Sequence, residues 1–132
     1  MNNQQAFDKI WLHFIVNNGR FSIVGNSEEE VMPRYYGTEG ARCPVGLLID
    51  SREYNEDIEG TAVSKIYEEI PSLQEVDVLL LSAIQLAHDN SATDWSVGVQ
   101  SRKEARKEFK KGLQRIAKKF ELEIPRKVRN NG

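Results

Sequence analysis

Cysteine is nearly missing from this sequence. Cys43 is the only one in 132 residues, so no disulfide forms within the chain, and one cysteine with two histidines is too few for an ordinary zinc site. Long apolar runs are missing as well. None approaches the ~20 residues of a membrane-crossing helix, so no membrane association is expected. The opening MNNQQAFDKIWLHF has no basic cluster ahead of its apolar residues and no small-residue cleavage site, so it is not expected to act as a signal peptide. A cytoplasmic location is the expectation. No internal repeat or long low-complexity segment occurs.

What is present suits a globular chain, with 39% hydrophobic and 29% charged residues. The length matches one domain, expected over 1–124, with 125–132 as a basic flexible tail. The net charge of −2 hides a division. Residues 1–101 carry 6 basic and 16 acidic side chains, and residues 102–132 carry 12 basic and 4 acidic ones. The acidic body and basic end differ in sign.

Hydrophobic spacing predicts a mainly α fold with a small β-hairpin, about four to five helices around a central apolar one. Phe7, Ile10, Trp11, Phe14 and Ile15 make the stripe of an amphipathic helix over about 4–17, with Gly19 placed to take a left-handed conformation after it. RFSIV suggests a short strand, GNSEEEVMP an exposed acidic loop, and Gly37 to Gly40 a hairpin turn. Pro44 suits the first turn of a short helix, and Asp50 and Glu53 have capping-box spacing. Thr61 is placed to cap a helix carrying Val63, Ile66, Tyr67 and Ile70. Ser72 and Glu75 are placed to open the central helix LQEVDVLLLSAIQLAHD. The last helix is expected from about Val99 to Phe120, with Ala105, Phe109, Leu113 and Ile116 on its apolar face and Arg102 and Arg106 near that side.

The order of these pieces resembles a family of small proteins encoded in phage and bacterial genomes. The resemblance rests on Tyr35, Gly37, Gly40, Cys43, Gly46, Leu48 and Ile49, then Tyr54, Asp57, Glu59 and Gly60, then His88, Asp89 and Trp95. It spans about 4–120 and is most specific from Cys43 to Gly60. Asp50 stands where family members often have proline, Ile84 replaces a leucine, and the strongly basic last helix is less typical. The resemblance implies a phage or mobile-element setting and an architecture, and no reaction.

Three sets of residues are candidates for chemistry. Cys43 is a candidate nucleophile with His88 as base and Asp89 as its orienter, an arrangement that needs thiol and imidazole within hydrogen-bond reach. A buried, structural Cys43 is the favoured reading, and His88 is expected near the end of its helix. His88-Asp89 also has the look of a phosphohydrolase metal pair, but the further ligands are not evident. Asp50, Glu53, Glu56, Asp57 and Glu59 have oxygens that suit a hard cation, yet they match no EF-hand loop and fall where caps and turns favour such residues. No metal and no cofactor is expected. Tyr54 and Glu59 are candidate contact residues, with fixing the connection between helices as their alternative role.

Lys103, Lys107, Lys110 and Lys111 project from the last helix opposite its apolar face. A row of cations can neutralise phosphates or dock on an acidic protein, and Glu104 and Glu108 at its border weaken the first option. The expectation is therefore a non-enzymatic accessory protein that binds a host protein or sequesters a small ligand, in the manner of an inhibitor or counter-defence factor. Nucleic-acid binding through the last helix is the second reading, and a small hydrolase using Cys43 and His88 the third.

Overall fold

Asn2 starts the first helix by accepting the Gln5 amide at 2.8 Å while its own amide donates to the Gln5 side chain at 2.9 Å. In the computed structural model, which describes residues 1–24 and 31–126, this helix, α1, spans Asn3–Trp11 and runs on through a π turn at Leu12–Val16. Its apolar stripe buries Phe7, Ile10, Trp11 and Phe14, as the spacing predicts. Asn18, not Gly19, takes the left-handed conformation, with φ of 59°. Gly19 instead lies so close to the His13 ring that a side chain there would overlap it.

The fold is mainly helical with a small antiparallel hairpin. Strand β1, Ile23–Val24, pairs with β2, Met32–Pro33, in the register Ile23 to Pro33 and Val24 to Met32. Residues 25–30 of the expected acidic loop lie outside the described residues. The hairpin expected around Gly37 is reduced to one bridge, Tyr36 to Arg42, across a 3₁₀ turn at Thr38–Gly40. A longer ladder would need the Tyr35 amide on the Cys43 carbonyl, but that amide donates to the Glu59 carboxylate at 2.8 Å and the carbonyl accepts the Leu47 amide at 2.8 Å.

Helix α2, Pro44–Leu48, has Pro44 in its first turn and Cys43 as its cap residue. Asp50 and Glu53 close a turn and not a helix, because the Glu53 carboxylate is drawn to the Ser72 amide and hydroxyl. Thr61 is not a cap: α3, Val63–Ile66, starts at Ala62 without a side-chain bond and continues as a 3₁₀ turn, Tyr67–Glu69.

The central helix, α4, spans Val78–Ser96. Its start is later than Ser72 suggests because Asp77 accepts the Leu79 amide at 2.8 Å, while the Tyr67 hydroxyl donates its one proton to the nearer Val76 carbonyl at 2.6 Å, with that of Gln74 at 2.9 Å. Its end is later than Asp89 suggests. Ser91 and Ala92 are buried, so packing carries the polar sequence on as helix. Helix α5, Arg102–Lys119, opens with a capping box between Ser101 and Glu104 and lies along α4. Phe7, Phe14, Leu80, Ile84, Phe109 and Leu113 meet in the core between α1, α4 and α5.

After α5 the chain turns back. Gln4 of α1 accepts the Glu123 amide and donates to its carbonyl, both at 2.9 Å, which ties 121–126 to the first helix. Most of the expected basic tail, 127–132, lies outside the described residues.

Candidate functional site

Cys43 ends the extended segment before α2, where its Sγ accepts the Gly46 amide at 3.2 Å. It is fully buried, and burial pushes the thiol up to about 12. A thiol held so high stays protonated near neutral pH and is a poor nucleophile.

His88 does not sit near the end of its helix. It lies within α4 and is fully buried among the edges of Phe14, Phe21 and Phe109. The Ser22 amide donates to Nε2 at 3.1 Å, so that nitrogen carries a lone pair. The proton is therefore on Nδ1, which donates to Asp89 Oδ1 at 2.8 Å. Both ring nitrogens are committed, neither to Cys43, and the thiol–imidazole pair required of a nucleophilic site is not formed.

Gln85, which the sequence reading passed over, joins these residues. Its Oε1 accepts the Val45 amide at 3.1 Å and its Nε2 donates to Asp89 Oδ1 at 3.0 Å. One hydrogen-bonded line thus runs from the start of α2 through Gln85, Asp89 and His88 to Ser22 beside β1. The available signal was a glutamine inside an otherwise apolar run, four residues before an aspartate.

Tyr54 and Glu59 face each other across a second cluster. Beyond the Tyr35 and Tyr36 amides, Glu59 accepts the Tyr54 hydroxyl at 2.7 Å and lies 3.8 Å from the Arg34 guanidinium. Its side chain is 7% exposed. The Tyr54 ring stacks on Tyr36 at 3.9 Å between centroids, and Arg42 lies 3.7 Å from the Tyr36 centroid. Burial and the Glu59 bond push the Tyr54 hydroxyl up to about 12. This is the connecting role for Tyr54 and Glu59, with little of Glu59 left to meet a partner.

Of the remaining acidic candidates, Asp50 pairs with Arg52 at 3.0 Å, a bond that holds its carboxyl down at about 2, Glu53 is engaged by the distant Ser72, and Glu56 and Asp57 lie exposed on a turn that Asn55 opens by accepting the Asp57 amide at 2.8 Å. Among the described residues no three His, Cys, Asp or Glu side chains are grouped to hold a metal ion.

No family model, curated protein or solved structure matches the chain. Its surfaces must be read from their own chemistry.

Lys103, Lys107, Lys110 and Lys111 are all exposed along α5. Lys111 lies 3.5 Å from Glu108, and among the described residues Lys103, Lys107 and Lys110 have no ion-pair partner. Arg102 and Arg106 point the other way, onto the carbonyls of Asn18, Phe14 and Ile15. Arg102 and Arg106 tie α5 to the end of the first helix, and the exposed lysines flank that seam, with Lys110 lying 6.0 Å from the Trp11 ring centroid. A hollow of about 210 Å³ lies between Ile15 and Lys103, Arg106, Lys107 and Lys110.

A larger groove, of about 550 Å³, opens between β2, the start of α3 and α4. Met32, Arg34, Val63, Ser82, Leu86 and Asp89 line it. No helix among the described residues is long and apolar enough to cross a membrane.

Proposed function

We propose that the protein acts by binding, and that the lysine face of α5 is its contact surface for an acidic partner protein. The observation that carries this reading is the division of labour on α5: Arg102 and Arg106 are spent on carbonyls at the end of the first helix, while Lys103 and Lys107 stand exposed with no ion-pair partner among the described residues, beside Lys110, whose ammonium lies 6.0 Å from the Trp11 ring centroid. Such a row raises the encounter rate with a negative surface and fixes the orientation of approach. The acidic body of the same chain repels a polyanion that is not met by α5, which favours a partner with a local acidic patch over a nucleic acid. Cys43 and His88, the groups a hydrolase would need, are engaged within the fold. The setting proposed for this activity is a phage or mobile element in a bacterial cytoplasm, where a small protein occludes a host enzyme, and it rests on the resemblance carried by Cys43 to Gly60 and by His88, Asp89 and Trp95.

Lys103, Lys107, Lys110 and Lys111 replaced together by glutamate test this. The apolar face of α5 is untouched, so the circular dichroism spectrum should stay helical, with a melting temperature lowered by the loss of the Lys110–Trp11 contact and by repulsion from Glu104 and Glu108. Immobilised wild-type protein should retain acidic proteins from nuclease-treated bacterial lysate, and the variant should lose them. Retention that disappears with nuclease treatment and falls log-linearly with salt would assign the face to nucleic acid. Equal retention by variant and wild type would remove α5 as the contact surface.

A further inference from the structure

The groove between β2, α3 and α4 contains a carboxylate that forms no ion pair with a lysine or arginine among the described residues. Asp89 lines it with a side chain 31% exposed. Its Oδ1 takes both internal bonds, from His88 Nδ1 at 2.8 Å and Gln85 Nε2 at 3.0 Å. Gln85 is neutral, and so is His88, because its Nε2 accepts the Ser22 amide. Asp89 Oδ2 therefore carries negative charge toward the groove, and among the described residues no cation pairs with it. The other charged side chain on the wall, Arg34, is already matched. It lies 3.8 Å from Glu59 Oε2 and donates to the Tyr36 carbonyl at 3.1 Å.

The rest of the wall is largely apolar. Met32 is 47% exposed and Leu86 62% exposed, and Val63 lies opposite them at the start of α3. Volume, a single free carboxylate and apolar walls together define what fits. A hard divalent cation favours several carboxylate oxygens, and among the described residues Asp89 is the one carboxylate on this wall, accompanied only by neutral oxygens such as those of Thr61, Ser64 and Ser82. An anion would meet Asp89 with Arg34 already engaged. A space of this size suits a small molecule, and a wet carboxylate beside apolar walls suits a cation whose other end is hydrocarbon.

We infer that this groove is a binding site for an organic cation, a protonated amine or guanidinium on a short apolar chain, with its charged end on Asp89 and its chain against Met32, Val63 and Leu86. The site is separate from the lysine face, and charge reversal on α5 should leave it intact.

The inference is tested by titrating ¹⁵N-labelled protein with n-butylammonium, 1-butanol, butanoate and magnesium chloride. Butylammonium should shift the amides of Val63, Ser82, Leu86 and Asp89 and bind at least about tenfold more tightly than butanol, the margin of a charged hydrogen bond. Lengthening the amine from ethyl to butyl should tighten binding about fourfold per methylene. N-acetyl-lysine methylamide distinguishes the source: tighter binding than butylammonium assigns the groove to a lysine side chain of a peptide, weaker binding to a free amine, and either ranking supports the site.

Two variants complete the test. Asp89→Asn should abolish amine binding, and because it also disturbs the bonds to His88 and Gln85, it is judged only if its amide spectrum remains native. Leu86→Lys does not touch those bonds. Placed three residues before Asp89 on an exposed part of α4, its ammonium should compete for the carboxylate and, with the Leu86 wall also removed, weaken amine binding at least about twofold while the fold persists. Equal binding of butanol, preference for butanoate or magnesium, or undiminished amine binding by folded Leu86→Lys would each overturn the inference.

Discussion

Gly46 lies so close under the Tyr35 carbonyl that a Cβ on it would overlap the oxygen. The contact joins α2 to the segment before it, where the same carbonyl accepts the Cys43 amide at 3.3 Å. Backbone faces backbone, so no side chain can rotate away to make room. Gly46→Ala should therefore destabilise the fold by about 3 kcal/mol or more, the upper end of overpacking costs, read as a lower urea midpoint with little change in slope. A loss below 0.5 kcal/mol would mean that α2 can slide away from Tyr35.

Glu59 fastens the neighbouring turn by a different means. Its two oxygens receive the Tyr35 and Tyr36 amides and the Tyr54 hydroxyl. Glu59→Gln keeps the shape but turns one acceptor into a donor facing donors. It should cost about 2 kcal/mol, and Tyr54→Phe, which removes one donor and leaves the other two satisfied, should cost about 1 kcal/mol. Urea unfolding of the two variants checks the ranking.

These contacts show where local reading reaches and where it stops. Phe7, Ile10 and Phe14, or Ala105, Phe109 and Leu113, repeat within a few residues, and their stripes located α1 and α5 because each lies within one window of sequence, although the Ser101 cap starts α5 at Arg102 and not near Val99. Ser72 looked like a cap for the same reason, but Glu53, 19 residues earlier, takes its hydroxyl and amide, and Asp77 starts the helix instead. The two-residue strands β1 and β2 are too short to alternate. The groove is less legible still. The bond that makes His88 neutral comes from Ser22, 66 residues away, so the unpaired charge on Asp89 exists only once the chain has folded.

Alkaline pH should weaken the fold. Burial raises Cys43 from 9.0 to about 12, and Tyr54 rises from 10.0 to about 12. A protonated thiol is neutral, so the folded state keeps its proton between those values while the unfolded state releases it. This contribution is fully present below pH 9 and is lost as pH rises toward 12, at about 1.4 kcal/mol per pH unit for the one buried thiol. Urea midpoints should be level with respect to this group from pH 7 to 9 and fall above it. Cys43→Ala should flatten the part of the fall that begins near 9. Native Cys43 should also react with a thiol reagent at pH 8 only as fast as the protein unfolds, and a faster reaction would show that the thiol is reached without unfolding.

Arg106 supplies the last test, because it carries the contact between the end of α1 and the start of α5. Its Nε and Nη2 donate to the Phe14 and Ile15 carbonyls at 3.3 and 2.6 Å, groups left without helical partners by the π turn. One planar group thus satisfies two adjacent acceptors, which a lysine ammonium on a flexible stem does less well. Arg106→Ala should cost about 2 kcal/mol, and Arg106→Lys should recover only part of it. Lys107→Ala, one residue along on the exposed face, should change stability by less than about 0.5 kcal/mol. Amide exchange sharpens the reading: in Arg106→Ala the amides from His13 to Gly19 should exchange faster, while those of Leu80 to Ile84 slow or quicken only with global stability. Equal losses from Arg106→Ala and Lys107→Ala would mean that the two carbonyls are satisfied by water and that α5 is held to α1 by its apolar face alone.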